Sequence, residues 1–247
     1  MKKSAILFLL FAGCGLMTST SQKEDLVFED DPHLVFDGDG DYVEVADPAD
    51  ETLDFELDAF TISFWLKTEM RGDGQILCKR PVSGEGNGYE LQVGDDGLVS
   101  FNNGLGVEAA TDGAWHHILY VHDGADHELY LDGRLANSKP WSWLAGEVAS
   151  VSSNGPLKFG ADSVDGEYYE GALDEIALWR ARLNSKAATQ IYEGGRTLDL
   201  MQNVGSYTFS ESLAGYWKFD EQEGSIAEDA TAHGNHGDIV GATREDG

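Results

Sequence analysis

Apolar and polar residues alternate along several short stretches of the chain, which is the pattern of half-buried β-strands. Residues 60–67 (FTISFWLK), 115–122 (WHHILYVH) and 127–131 (HELYL) each follow this period of two. Asp-Gly pairs, which favour the tight turns of hairpins, punctuate the pattern at 96–97, 112–113, 123–124 and 132–133. The pattern therefore predicts an all-β fold, an antiparallel sandwich or barrel.

One segment carries the signals of a helix. Asn184 and Ser185 can cap its start, residues 186–192 can form its turns, and Gly194-Gly195 can end it. We expect one short helix near residues 185–193. The sequence has no long amphipathic or heptad segment, which argues against a helical bundle or a coiled coil.

The first residues have the features of a bacterial signal peptide. Lys2 and Lys3 precede an apolar run at 5–12 that is too short to span a bilayer. The run Phe11-Ala12-Gly13-Cys14 resembles a lipobox, although that pattern prefers leucine where Phe11 stands. We predict a signal peptide at 1–13, diacylation of Cys14 as a lipid anchor and an acidic tether at 14–31. The protein is then expected on the outer membrane or the cell surface. The alternative is an ordinary secretory signal with a chance cysteine.

Charge narrows the list of partners. The chain has 45 Asp and Glu against 16 Lys and Arg, a formal net charge of −29. Nucleic-acid binding needs a basic face, and docking on anionic lipid needs basic residues as well, so membrane contact is expected only through the lipid anchor. The apolar fraction of 41% is too high for a disordered acidic chain. The acidic residues should therefore cover the surface of a folded domain.

Six stretches occur in a recognisable order, at 34–45 (LVFDGDGDYVEV), 59–67 (AFTISFWLK), 115–118 (WHHI), 129–133 (LYLDG), 171–179 (GALDEIALW) and 191–195 (IYEGG). Together they resemble the laminin G-like jelly-roll family of the concanavalin A-like lectin/glucanase superfamily. The segment LAGYWKFDE at 213–221 resembles one often found at the start of such domains. We expect a single domain over 32–247, in which 213–247 packs back as terminal strands; the alternative is that this segment begins a second copy of the domain that is cut short.

The resemblance implies an antiparallel jelly-roll β-sandwich and a binding module, frequently for glycans and often with calcium. We therefore predict a non-catalytic, calcium-supported lectin-like module that binds carbohydrate. One alternative is an adhesion or structural protein with a protein partner, and another is a degenerate glycoside hydrolase. The superfamily's glucanases carry a Glu-x-Asp-x-x-Glu run that the sequence lacks. Strand alternation also predicts that Asp174 and Glu175 point to opposite faces, unlike a catalytic carboxylate pair.

Three carboxylates are candidate calcium ligands. Alternation places Asp174 on one face with Ile176 and Leu178, and a buried charge there needs a cation or hydrogen-bond donors. Asp37 and Asp41 lie in a flexible Asp/Gly loop that supplies hard oxygen ligands. Related jelly rolls often join an early loop to a late strand through one calcium ion, which would unite these three residues. The alternative is a simple Asp/Gly turn, with Asp174 accepting backbone hydrogen bonds.

Aromatic side chains are the candidate sugar platforms. Trp141 and Trp143 lie outside the clean alternation, and Tyr168 and Tyr169 form a second pair in a predicted loop. The alternative for the tryptophans is that one of them plugs an end of the sandwich. Cys78, in a short β-like run, is expected to be a buried apolar residue and not a nucleophile.

Overall fold

The computed structural model describes residues 31–56, 58–81, 87–102, 104–143, 150–164 and 166–246. Within these ranges the chain forms two antiparallel sheets, one α-helix and short 3-10 turns at Trp141–Trp143 and Ser210–Ser212. The strands are β1 (His33–Asp37), β2 (Tyr42–Val45), β3 (Phe60–Lys67), β4 (Gly74–Lys79), β5 (Tyr89–Val93), β6 (Val99–Phe101), β7 (Leu105–Val107), β8 (Trp115–His122), β9 (Asp126–Leu131), β10 (Arg134–Pro140), β11 (Leu157–Phe159), β12 (Glu170–Trp179), β13 (Leu213–Trp217), β14 (Ile226–Ala227), β15 (Gly237–Val240) and β16 (Thr243–Glu245). The helix α1 is Ser185–Gly194.

The two sheets form a sandwich, which is one of the two architectures that the alternation predicts, and it is consistent with the concanavalin A-like jelly roll that the resemblance implies. Sheet I has the order β10-β9-β8-β3-β12-β1-β16, and β13 pairs with β12 beyond the end of β1. Sheet II has the order β14-β15-β2-β11-β4-β5-β6-β7. The strand order is not sequential, so each sheet joins segments that are far apart in the chain.

The main core lies between the sheets, where the inward residues of each strand meet. Its members are fully or almost fully buried and include Phe36, Val45, Phe60, Phe64, Leu91, Phe101, Phe159, Leu178 and Trp217. A second apolar cluster covers the outer face of sheet I, where α1 and the chain after it pack. Its members include Leu119, Trp179, Leu183, Ile191, Tyr207 and Tyr216.

Helix α1 confirms the sequence prediction. The Asn184 side chain accepts hydrogen bonds from the amides of Lys186 and Ala187, both at 3.0 Å, which caps the first turn. Gly195 follows the helix with a φ of 71°, a left-handed conformation that glycine adopts without strain. The buried face of the helix carries Ala187 and Ile191, so packing on sheet I holds it in place.

The segment after residue 212 contributes to both sheets. Strand β13 pairs with β12, β15 pairs with β2, and β16 pairs with β1. Asp229 organises the connection, since its carboxylate accepts hydrogen bonds from the amides of Tyr216, Thr231 and Asn235. The tail is thereby built into the sandwich.

Candidate functional site

A cleft opens at one end of the sandwich, where β2 and β4 finish and β3, β5 and β11 begin. It has a volume of about 860 Å³, and we call it the rim cleft. Its walls come from residues within 47–58 and 150–154, from Pro81 and Asn87, and from Arg180 after β12. The lining residues are Asp47, Asp50, Glu51, Thr52, Asp54, Glu56, Asp58, Pro81, Asn87, Ser150, Ser152, Ser153, Asn154 and Arg180.

Residues 47–58, of which Leu57 is not described, form the largest wall, and we call them the acidic loop. Two apolar side chains anchor this loop, since Leu53 is 0% exposed and Phe55 is 1% exposed. The Phe55 ring stacks on Phe60 with a centroid distance of 4.7 Å and an interplanar angle of 5°. The Tyr89 hydroxyl donates to the Leu53 carbonyl at 3.0 Å. These anchors are buried in the core, while the acidic residues of the loop line the cleft.

Lys79, the last residue of β4, lies beneath the cleft. Its Cα partners are Tyr89 and Leu157 in the neighbouring strands, and its side chain is 0% exposed. The ammonium donates to Asp47 Oδ1 at 2.7 Å, to Asp54 Oδ1 at 3.1 Å and to the Ser153 carbonyl. A buried charge is stable only when it is paired and hydrogen-bonded, and these oxygens satisfy that need.

Arg180 holds the acidic loop from the side of sheet I. One terminal nitrogen of its guanidinium donates to the carbonyls of Glu51 and Thr52 at 3.0 Å and of Asp54 at 2.8 Å. The guanidinium carbon lies 5.7 Å from the centre of the Phe55 ring, within cation–π range. The loop is therefore fixed between two cations from different sheets.

Hydrogen bonds also join the acidic loop to the segment at 150–155. Ser153 donates its amide to Asp54 Oδ1 at 2.8 Å, and Glu56 donates its amide to the Ser152 hydroxyl at 2.8 Å. The Gly88 amide donates to the Ser150 carbonyl at 2.8 Å, which adds the 87–88 segment. The cleft walls therefore form one connected rim.

The cleft presents carboxylates, hydroxyls and amides to solvent. Hydrogen bonds from the Thr52 hydroxyl and amide lower the pKa of Asp50, so this exposed carboxylate stays charged at neutral pH. Carboxylates accept hydrogen bonds, whereas the Asn87 and Asn154 amides both donate and accept. This combination suits a ligand with many hydroxyl groups.

The predicted calcium residues lie apart from this cleft and do not form one ligand set. Asp37 is the Cα partner of Glu170, four residues before Asp174 along β12, a separation of about 13 Å at strand spacing. Asp37 Oδ1 accepts the Asp39 amide at 2.8 Å, and Asp41 Oδ2 accepts the Asp37 amide at 3.0 Å. Both carboxylates thus build the turn. Within the described residues, no group of three or more His, Cys, Asp or Glu side chains is arranged to hold a metal ion.

Asp174 is buried as expected, but the prediction of its face is wrong. A bulge interrupts β12 between Asp174 and Ala177, and Glu175 adopts a φ of 51° there. The extra residue shifts the alternation, so Asp174 lies on the outer face of sheet I, opposite the face of Ile176. Its Cα partner in β3 is Trp65.

Arg196 supplies the cation that the buried Asp174 needs. Its guanidinium donates to Asp174 Oδ2 at 3.0 Å and lies 4.2 Å from the centre of the Trp115 ring. The side chains of Arg196 and Asp174 are 2% and 0% exposed. Burial raises the pKa of Asp174 well above its ordinary value, and the Arg196 charge acts in the opposite direction.

Glu175 lies on the same outer side, contrary to the prediction of opposite faces. Its carboxylate accepts a hydrogen bond from the Tyr216 hydroxyl, which belongs to the outer apolar cluster. Burial raises the pKa of Glu175, and the Asp174 charge raises it further. Since Asp174 and Glu175 are 0% and 4% exposed, neither carboxylate is accessible to a polymeric substrate.

The predicted sugar platforms have different surroundings. Trp141 is half-buried against the main core, and its ring lies 4.4 Å from that of His122 and 4.6 Å from that of His127. These contacts favour the alternative that Trp141 plugs an end of the sandwich. Tyr169 is 0% exposed, so its ring is unavailable as a surface platform, while Tyr168 is half-buried. The side chain of Trp143 lies outside the described residues.

Cys78 is buried, as predicted. It is 1% exposed, and burial raises the pKa of its thiol to about 12, so the nucleophilic thiolate is suppressed. Residues 1–30, with Cys14 and the predicted signal peptide, lie outside the described residues. Among the helices that are described, none combines the length and the apolar character needed to cross a membrane.

The acidic loop and Lys79 were not singled out from the sequence. A signal was present, because six acidic residues fall between Asp47 and Asp58 around the buried Leu53 and Phe55. Lys79 also ends the stretch 75–79 (QILCK), in which the other residues are apolar apart from Gln75. Neither signal shows that the two segments meet.

The sequence profile of Laminin_G_3, in the concanavalin A-like lectin/glucanases superfamily, matches residues 37–188. The chain belongs to this family. The match runs from the end of β1 into α1, so the rim cleft is built from the laminin G-like part of the chain. No curated protein matches the sequence significantly.

A solved structure with a TM-score above 0.5 shares the fold of this laminin G-like protein. A "putative carbohydrate binding protein" from Bacteroides ovatus has a TM-score of 0.65 at 18% identity, covering 88% of this chain. This chain spans 60% of the length of that neighbour. A heptameric SAP-like pentraxin from Limulus polyphemus has a TM-score of 0.49 at 16% identity, covering 78% of this chain and 93% of the pentraxin. Domains LG4-5 of the mouse laminin α1 chain have a TM-score of 0.44 at 20% identity, covering 60% and 41%.

Proposed function

We propose that this protein is a non-catalytic, lectin-like module that binds carbohydrate in the rim cleft. The observation that supports this proposal is the cleft itself, which has a volume of about 860 Å³. Its lining consists mainly of carboxylates, hydroxyls and side-chain amides. A sugar presents hydroxyls that both donate and accept hydrogen bonds, and the cleft offers acceptors and donors in close proximity. The name of the Bacteroides ovatus neighbour supports the same class of ligand.

Rigidity of the cleft favours binding. Association costs less when the groups that bind are already held in place, and here Lys79, Arg180 and the bonds to 150–155 hold the acidic loop. Asn87 and Asn154 are exposed on the walls, where their amides can meet sugar hydroxyls. Carboxylates such as Asp50 accept hydrogen bonds from the same ligand.

The acidic residues also determine which ligand charge the cleft favours. Six carboxylates line the cleft, whereas Arg180 is the cation among the described lining residues. Like charges repel across a site of this kind. Neutral sugars are therefore favoured over uronates, sulfated glycans and sialylated glycans.

A glycan array tests this proposal, with Asn87→Ala and Asn154→Ala as cleft variants. Each variant is expected to weaken the wild-type signal without altering the melting temperature. Gln202→Ala is the matched control, since Gln202 is exposed and is not among the cleft residues. An array on which all variants bind like the wild type would refute the cleft as the site. Silence on the array with specific capture of an extracellular protein would favour the adhesion alternative, and sugar release from β-glucans would favour a hydrolase.

Three further predictions from the sequence accompany this proposal. The protein is expected to reach the cell surface, to be anchored through an acylated Cys14, and to be stabilised by calcium. Metabolic labelling with a fatty-acid analogue, compared between wild type and Cys14→Ala, tests the anchor. Melting curves in calcium and in chelator test the metal, because a ligand that binds only the folded state must raise the melting temperature. Asp37 and Asp41 are the two candidate calcium ligands that lie closest to one another in the sequence.

A further inference from the structure

Lys79 is an unusual residue for its position. Its neighbours across the strands, Tyr89 and Leu157, are both fully buried members of the main core. A lysine in such a row carries its charge into the end of the apolar interior, where an unpaired ammonium is strongly disfavoured. Its presence there therefore points to a specific task at this end of the sandwich.

The oxygens around the ammonium come from two segments that are far apart in the sequence. Asp47 and Asp54 belong to the acidic loop, at 2.7 and 3.1 Å from Nζ, and the third oxygen is the Ser153 carbonyl. Asp54 Oδ1 also accepts the Ser153 amide at 2.8 Å. The ammonium thus joins the acidic loop to the segment at 150–155 at one point.

Two carboxylates and a carbonyl are oxygen ligands of the kind that bind hard cations in proteins. An ammonium is a compact point charge with three donors, so it can occupy a small oxygen-lined space. With Lys79 present, the space is filled and one of the two carboxylate charges is neutralised. Without it, Asp47 and Asp54 would face the same space with no cation between them.

We propose that Lys79 is a positioning residue of the rim cleft, an internal cation that braces the acidic loop in place of a divalent metal ion. The cleft is then assembled without calcium, whatever metal binds elsewhere on the domain. The role in positioning the ligand site rests on the proposed function, whereas the role in bracing the loop does not.

Lys79→Met tests the brace, since methionine keeps an unbranched apolar side chain and removes the charge. In chelator, the variant is expected to melt below the wild type, with faster amide hydrogen exchange in the acidic loop. Millimolar CaCl₂ should restore part of the melting temperature by binding Asp47 and Asp54, and adding Asp47→Asn should abolish that gain. Hydrogen exchange of the wild-type acidic loop should be the same in CaCl₂ and in chelator.

Lys158→Met is the matched control. Lys158 lies in the adjacent strand β11, is buried, and pairs with Glu44 at 3.4 Å away from the cleft. The Lys158→Met variant should leave the amide hydrogen exchange of the acidic loop unchanged. If Lys79→Met does not fold, Asp47→Asn in the wild-type background takes its place, because Asp47 is 33% exposed and the change keeps an oxygen acceptor. Faster exchange confined to the acidic loop is expected there as well.

Several results would overturn the inference. These are unchanged exchange in both Lys79→Met and Asp47→Asn, a wild-type acidic loop that needs calcium for protection, or a Lys79→Met variant that does not respond to calcium. Carbohydrate affinity provides the separate readout, expected to fall by about tenfold when the acidic loop is no longer held in place before binding. If no glycan binds the wild type, the proposed function fails while the exchange data still decide the brace. If glycan binds but Lys79→Met binds equally well, the positioning role fails alone.

Discussion

Replacing Arg196 by methionine should strongly destabilise the domain. The change removes the cation from a pair in which both side chains are almost fully buried, with N and O 3.0 Å apart. Breaking a buried pair by removing one partner costs about 3–5 kcal/mol, because the remaining charge is left uncompensated. Loss of the guanidinium from the Trp115 ring, 4.2 Å away, adds to the cost. For a domain of this size the melting temperature should fall by about 10 °C.

The loss of stability in Arg196→Met should depend on pH in a defined direction. Burial raises the folded-state pKa of Asp174, so the folded state binds this proton more readily than the unfolded chain, whose Asp pKa is about 4. The stability contributed by that proton is fully present below pH about 4 and decreases as the pH rises through the folded pKa. Without Arg196 the folded pKa rises further. The variant should therefore differ most from the wild type at neutral pH and least near pH 4.

Urea denaturation at the two pH values measures this effect. Arg182→Met is the control, because Arg182 pairs with Asp123 and Glu128 at the surface and is 43% exposed, so its loss should cost no more than about 1 kcal/mol. The double variant Asp174→Asn, Arg196→Met should recover most of the stability at neutral pH, since no buried charge remains. Equal losses at both pH values, or a double variant no more stable than Arg196→Met, would refute the reasoning.

Two other predictions concern burial and backbone conformation. The Cys78 thiol, with a pKa of about 12, should resist alkylation at pH about 8 until the domain unfolds; rapid modification of Cys78 in native buffer, located by peptide mass mapping, would contradict this. Gly88→Ala should cost more than about 2 kcal/mol in urea denaturation, because its φ is +111° and a Cβ would lie 2.0 Å from the Lys79 carbonyl oxygen. Gly40→Ala, at a φ of +92° with nothing within 4 Å, should cost about 1 kcal/mol; equal losses in the two variants would show that the close contact is unimportant.

Local patterns were enough to predict much of the fold. Alternation over 60–67 and 115–122 corresponds to β3 and β8, and the capping residues Asn184 and Gly195 mark the ends of α1. Each of these elements depends mainly on residues that are close in sequence. The order of the six sequence stretches also indicated the laminin G-like family, and the profile match to residues 37–188 shows that the chain belongs to it.

Asp174 shows where local reasoning fails. Its burial followed from its apolar neighbours, but its face depends on one extra residue in β12. Glu175 adopts a φ of 51° there without being glycine, so the sequence contains no local mark of the bulge. Each such extra residue moves the side chains beyond it to the opposite face of the sheet, so an argument from a period of two then predicts the wrong face.

The rim cleft could not be found by local reasoning, because its parts are distant in sequence. Lys79 contacts Asp47, Asp54 and Ser153, which are 32, 25 and 74 residues away. Arg180 reaches the carbonyls of the acidic loop across more than 120 residues. Strand order decides which of these loops become neighbours, and the sequence shows only the loops themselves.

The pairing of β1 with β16 has a mechanical consequence. The antiparallel partners His33 and Glu245 lie side by side, so the chain enters and leaves the domain at the same edge. Tension applied through these two residues loads the hydrogen bonds between β1 and β16 one after another, as in opening a zipper, instead of shearing them all at once. Under such a load β16 should peel away at low force. The rim cleft, built from loops at the end of the sandwich where β2 and β4 finish, would not lie in the line of pull.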